Sequence, residues 1–290
     1  MSNKNSFECF TASPYFSSKH VNYFNIYDKI FERFKNKKIV FVEFGVFAGG
    51  SLFMWREFFG PNARIIGVDL NPDALKWRDY GFEIYIGDQS DSLFLDNLFL
   101  TIGQVDIVLD DGGHKYDQQI ITSFISINNI KDDGLLVVED THTSYQKEFG
   151  SGSKFSFINW SKKCVDIIHR RYPDLLLKDS LNSIVFKRVF SITFYESITV
   201  FNINSSLSII NEKVINGGFY SDQIDFRYSG TMIGKILKHR RKFLDLPVRS
   251  AIIMKLVNIF DFSIQKIGKF ILCYWERYKL LKLRSLFKDL

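Results

Sequence analysis

An α/β fold with a mostly parallel, seven-stranded sheet and helices on both faces is what this sequence predicts, and three observations carry it. Short β-branched or aromatic runs alternate with helical patterns between residues 39 and 201. A Gly-rich turn directly follows the first apolar run. Several later runs end in acids.

In chain order, Tyr23, Ile26, Tyr27, Ile30 and Phe34 recur at helical spacing within residues 17–34, so a helix is expected to pack over the sheet edge or the mouth of a ligand site. Strands are expected at 39–43, 63–69, 82–87, 105–110 and 135–139, and helices at 51–59, 72–79, 116–129 and 153–171. The stretch SITFYESITVFNIN, residues 191–204, reads as a hairpin turning near Glu196 and Ser197, an antiparallel edge to the sheet. Three segments result: an N-terminal helical segment over 1–37, a core over 38–210 and a helical extension over 211–290.

With 290 residues and 46% apolar content, the chain can bury a sizeable core, so disorder is not its default. The composition, with 30 Phe and only 5 Pro among recurrent Lys, Ile and Asn, has the mark of AT-rich coding. Cys9, Cys164 and Cys273 are odd in number and stand in no metal-binding or redox pattern, which suits a reducing cytoplasm. Neither a signal peptide nor an apolar run long enough to span a bilayer is visible. The net charge of +6 is uneven. Residues 231–290 hold 14 Lys/Arg against 4 Asp/Glu, while residues 1–230 hold 24 against 28. Any inference from basicity therefore concerns the tail alone.

The turn lies in IVFVEFGVFAGGSLFMW, where backbone must approach a ligand closely and side chains would obstruct it. The dinucleotide fingerprint GxGxxG is missing. Glu43, Gly45 and Gly49, with Ser51 opening the next helix, instead resemble the turn that methyltransferases wrap around the amino acid part of S-adenosylmethionine. Asp69 ends the second strand, where a carboxylate can accept ribose hydroxyls. Asp88 and Gln89 follow the third strand, near an adenine edge. Each feature alone has an ordinary reading, since an acid at a strand end commonly caps a helix; their shared order within one α/β unit gives them weight.

The fourth strand ends in DIVLDDGGH and the fifth in LLVVEDTHTSY. Neighbouring strands lie about 4.8 Å apart, so Asp111, Glu139 and Asp140 are expected to converge. Three carboxylates on one edge repel one another unless a cation sits between them, and hard oxygen ligands suit Mg²⁺ or another divalent cation. That ion would lower the pKa of a substrate hydroxyl, and His114 could take the proton as the alkoxide attacks the sulfonium methyl. Asp110 is expected to support the cofactor side from behind, and His142 and Tyr145 to face the substrate or to pack. The competing reading makes these acids helix caps and solvated loop residues, with His114 on the surface.

The runs VEFGVFAGGSL, GDQSD, DDGGH and VEDTHTSY together resemble the class I, Rossmann-like family that contains the macrocin and mycinamicin sugar O-methyltransferases and cephalosporin hydroxylase-like proteins, over residues 18–204. The resemblance implies metal ligation by Asp111, Glu139 and Asp140, His114 as base, and cofactor contacts at Glu43, Gly45, Asp69 and Asp88. Two departures stand out: Gln146 replaces an aromatic residue found in many relatives, and the chain beyond residue 210 matches no named family. The implied activity is divalent-metal-dependent O-methylation of a sugar hydroxyl. The AT-rich composition shifts the expected acceptor from an antibiotic to a bacterial surface polysaccharide or its precursor.

A hydroxylase activity and a non-catalytic cofactor-binding scaffold are the alternatives. Iron oxygenases usually need two His and one carboxylate, and His114 is the one imidazole expected inside the acid cluster. In the tail, apolar residues recur at helical spacing from Ile252 to Tyr274. Such basic helices fit an anionic membrane surface, a hairpin on the core or an oligomer interface. Homo-oligomerisation is expected; nucleic acid is not, since no RNA-recognition or base-methylation motif occurs.

Overall fold

The computed structural model describes residues 4–150, 153–175 and 183–218, with the isolated positions 230 and 235. The chain divides into two compact units, Met1–Val214 and Ile215–Leu290. The basic helices expected over 231–290, and Cys273 with them, lie outside the described residues.

Two helices, α1 (Ser6–Thr11) and α2 (Val21–Phe31), precede the sheet. Then follow β1 (Val40–Phe44), α3 (Gly50–Phe59), β2 (Arg64–Asp69), a 3₁₀ segment (Pro72–Tyr80) and β3 (Glu83–Ile86). The second half comprises α4 (Ser92–Ile102), β4 (Val105–Asp110), α5 (Tyr116–Asn129), β5 (Ile130–Val138), α6 (Phe157–His169), α7 (Ile184–Arg188), β6 (Val189–Phe194) and β7 (Thr199–Ile203). The strands form one seven-stranded sheet in the order β3-β2-β1-β4-β5-β7-β6. Its first five strands pair in parallel, and β7 runs antiparallel to both β5 and β6. The expected mostly parallel sheet with an edge hairpin is what forms.

Period-two alternation divides the core between the two faces. Phe41, Ile65, Ile107, Leu109 and Val137 bury against the N-terminal helices and α3. Val42, Phe44, Ile66, Val108 and Val138 bury against α4, α5 and α6. The same alternation sends the strand-end acids to opposite faces. Glu43 falls with Phe41 on the α3 side, where Ser51 and Trp55 meet it. Asp110 falls with Val108 on the α5 side, where Gln89 meets it.

Helices α1, α4 and α7 were not among the expected helices, and residues 72–80 differ in type; the cause is visible for α4 and for 72–80. Helix α4 was not expected, because exposed Leu93 and Leu100 blur an apolar stripe whose buried members are Leu95, Leu98, Phe99 and Ile102. The Asp91 carboxylate accepts from the Leu93 and Phe94 amides and starts it. Residues 72–80 coil as 3₁₀ rather than α, since the two residues they bury, Ala74 and Trp77, are three apart.

Candidate active site

The chain steps outward from β1 to β3 and returns to the other side of β1 with β4, so a crevice opens beyond the carboxyl ends of β1 and β4, the usual ligand position in such sheets. A cavity of about 790 Å³ lies there, lined by the ends of the parallel strands and by residues 16–20 and Tyr23. Backbone packing is tight at its floor. Gly45 has φ +91°, and a Cβ on it would sit 2.2 Å from the Asp111 carbonyl oxygen.

Of the residues expected on the cofactor side, Gly45, Ser51, Asp69, Asp88 and Gln89 line this cavity. Asp69 Oδ2 accepts from the Val46 and Phe47 amides at 2.8 and 3.0 Å, and Oδ1 accepts from the Asn71 amide at 2.8 Å. It thus clamps the glycine turn while retaining about one acceptor position for a ribose hydroxyl, since a carboxylate offers about four. Asp88 accepts from the Ser90 amide and hydroxyl, which hold its carboxyl below the usual range. Gln89 is fully engaged: its Nε2 donates to Asp110 and Thr122, and its Oε1 accepts from the Gly113 amide at 3.0 Å. It braces the DDGGH loop from below.

Glu43, Gly49 and Asp110 stand behind the cavity rather than lining it. Glu43 is completely buried, accepts from Ser51 Oγ at 2.8 Å and Trp55 Nε1 at 3.1 Å, and is pushed by burial up to about 7. Gly49 is needed for packing: at φ +82°, its Cβ would lie 2.2 Å from the Trp77 ring. Burial pushes Asp110 up to about 6, against the Gln89 hydrogen bond.

The acids of β4 and β5 meet as convergence requires, but the cation between them belongs to the protein. Lys19 Nζ lies 2.5 Å from Asp111 Oδ2 and 2.9 Å from Glu139 Oε2, with its side chain 2% exposed. Burial opposes its charge, but Asp111, Glu139 and Glu43 outweigh that and hold its pKa above the usual lysine range. Tyr27 donates to Glu139 Oε1 at 2.5 Å, so both oxygens of Glu139 are engaged. Tyr23 donates to Asp140 Oδ1 at 2.5 Å.

His114 adopts a left-handed backbone, φ 58°, with Nε2 3.3 Å from Asp140 Oδ2. Its Nδ1 is buried without a hydrogen-bond partner. Nε2 is thus the ring nitrogen that stands beside the acid cluster. One oxygen from each of Asp111 and Asp140 and a nitrogen of His114 lie within 4.8 Å of one another. His142 is half-buried against Ser197, and Tyr145 is 70% exposed; neither lines the cavity.

No protein-family model matches the chain. Among curated proteins, it is 36% identical over 136 residues to mycinamicin VI 2''-O-methyltransferase of Micromonospora griseorubida, a match covering 43% of this chain and 32% of the relative. It is 33% identical over 135 residues to demethylmacrocin O-methyltransferase of Streptomyces fradiae, covering 44% and 33%. Over these segments the chain is similar to the macrocin and mycinamicin sugar O-methyltransferases. A third such relative, the 8-demethyl-8-alpha-L-rhamnosyl tetracenomycin-C 2'-O-methyltransferase of Streptomyces olivaceus, is 33% identical over 51% of this chain and 41% of its own length. The matches thus span only about a third to two-fifths of these curated relatives. The fold is that of the class I methyltransferases: the MycE methyltransferase of the mycinamycin biosynthetic pathway, solved in complex with Mg and SAH, superposes with a TM-score of 0.60 at 23% identity. That superposition covers 76% of this chain and 58% of MycE.

Against these sugar O-methyltransferase relatives, the residues the sequence reading overlooks are Lys19, His20, Tyr23 and Tyr27. Tyr23 and Tyr27 read as members of an apolar stripe, and both are buried. A signal was nevertheless present: buried tyrosine hydroxyls need partners, and two of them four residues apart on one helix face demand acceptors beside it.

Proposed function

We propose that the protein transfers a methyl group from S-adenosylmethionine to a sugar hydroxyl with the aid of a divalent cation. The observation that carries this reading is the juxtaposition of Asp111, His114 and Asp140, donor atoms within 4.8 Å, at a cavity that Gly45, Asp69 and Asp88 also line. The donor set fits a hard cation, with Asp111 and Asp140 as direct ligands and Glu139 as a third charge, Lys19 being shared between Asp111 and Glu139. His114, an imidazole on the cavity wall beside these acids, fits a general base. When bound, S-adenosylmethionine supplies an electrophilic methyl group and the cation lowers the pKa of the acceptor hydroxyl.

The rest falls to the chain's own residues. Asp69 and the glycine turn hold the donor at one side of the crevice. His114, which lines the cavity beside Asp140, takes the hydroxyl proton. Catalysis is then chiefly positioning, which can contribute roughly 7–11 kcal/mol in well-oriented systems.

A sugar acceptor is supported by the names of the relatives, which methylate mycinamicin, macrocin and rhamnosyl-tetracenomycin precursors. Sugars borne on antibiotics and surface-polysaccharide precursors are the two acceptor sets to compare. The test is calorimetry with S-adenosylmethionine, followed by transfer of labelled methyl to both sets with EDTA and with restored Mg²⁺. Transfer that EDTA abolishes and Mg²⁺ restores is expected. Cofactor binding with no transfer to any acceptor in any metal would leave the scaffold reading.

A further inference from the structure

Asp140 divides its two oxygens between two neighbourhoods. Oδ2 faces His114 at 3.3 Å, on the Asp111 side. Oδ1 faces His20 Nε2 at 3.7 Å and His142 Nδ1 at 3.9 Å. His20, Asp140 and His142 form a second set whose ligand atoms all lie within 4.8 Å of one another. The two imidazoles stand nearly perpendicular, centroids 5.6 Å apart and planes at 86°.

These separations are too long for the imidazole nitrogens to hydrogen-bond the carboxylate. They are also short enough for one ion to reach both atoms of each pair with bonds of about 2.0–2.2 Å. Each imidazole–carboxylate pair is thus spaced for a bridging ion. We propose that His20, Asp140 and His142 form a second divalent-cation site, distinct from the hard site at Asp111 and joined to it through the Asp140 carboxylate. Two imidazoles and one carboxylate favour a borderline first-row ion such as Zn²⁺, Co²⁺ or Ni²⁺ over Mg²⁺.

The surroundings suit ligation. Tyr23 donates to Asp140 Oδ1, an outer hydrogen bond of the kind that orients metal-binding carboxylates. Asp140 itself sits in the left-handed region at φ 52°, held by the Thr141 amide donating to the Ser197 carbonyl at 3.0 Å. Such a backbone persists where the surroundings over-determine it. His20 lines the cavity, so an ion here would be reached from the crevice. Ser197 Oγ lies 3.0 Å from His142 Nδ1, and its hydroxyl must turn away for that nitrogen to bind. Three protein ligands leave further coordination positions open.

The experiment is titration of the full chain with Co²⁺, followed by the visible d–d absorption of the bound ion and by calorimetry, without cofactor or acceptor. One Co²⁺ with a spectrum of mixed nitrogen and oxygen ligation is expected. H20A and H142A should each weaken it at least tenfold. D111N should retain it within about threefold, and S197A, which frees the His142 nitrogen, should bind at least as tightly as wild type. Far-ultraviolet dichroism checks that each variant is folded. Unchanged affinity and spectrum in both H20A and H142A would overturn the proposal, as would loss in D111N equal to that in H20A, which would place the Co²⁺ in the hard site. Mg²⁺ calorimetry on the same proteins reports separately on the hard site, so either site can fail while the other stands.

Discussion

Replacing Lys19 by methionine removes the charge between Asp111 and Glu139 while keeping most of the side chain's volume. Lys19 is buried and touches two carboxylates, one of them completely buried. Breaking a buried ion pair by deleting one partner typically costs about 3–5 kcal/mol, because the remaining charge loses its compensation. For a compact unit of this size, Met1–Val214, about 2–4 °C of melting temperature accompanies each kcal/mol, so K19M should melt roughly 6–20 °C lower. The assay is urea unfolding in EDTA at pH 7, run as a double-mutant cycle with E139Q. E139Q alone removes the charge that Lys19 balances while leaving an oxygen for Tyr27. The double variant should be more stable than the sum of the single losses predicts, by about 1–3 kcal/mol. A K19M loss below about 1 kcal/mol, or strict additivity with E139Q, would refute the view that Lys19 is the internal counter-cation of the acid cluster.

Three further outcomes are expected. Burial raises Glu43 from the ordinary glutamate value of about 4.5 to about 7, so the folded state keeps a proton that the unfolded chain releases. Stability should therefore fall as pH rises from about 4.5 to 7, by about 3 kcal/mol from this group at most, and E43Q should flatten that part of a stability profile measured without ligand. H114Q should lower kcat by about 10²–10⁴-fold while S-adenosylmethionine affinity by calorimetry stays within about twofold; an equal loss of cofactor affinity would remove His114 from the base role. G49A should destabilise by about 3 kcal/mol or more in urea, because it combines a left-handed backbone with a Cβ 2.2 Å from Trp77; a well-folded G49A with only weakened cofactor binding would return Gly49 to the cofactor.

The parallel sheet, its edge hairpin and the strand-end acids were legible because they depend on local patterns: period-two apolar runs, turn residues and acids at the ends of those runs. Helix α4 was not, since Leu93 and Leu100 are apolar yet exposed, and only packing shows which leucines face inward. The same limit applies to the site. Glu43, Asp69, Asp88, Asp111, Glu139 and Asp140 could be placed at one sheet edge, but strand alternation and packing put Glu43 and Asp110 behind the crevice and Asp69 on its wall.

What the order of residues determines by itself is the strands, the glycine turn and the presence of several carboxylates at the carboxyl ends of those strands, because each is written in a local pattern of the chain. What only tertiary structure decides is how those charges are balanced. Lys19 and Glu139 are 120 residues apart in sequence, as are His20 and Asp140. No spacing rule links such positions, and they meet because α2 docks on the sheet face toward which Glu139 points.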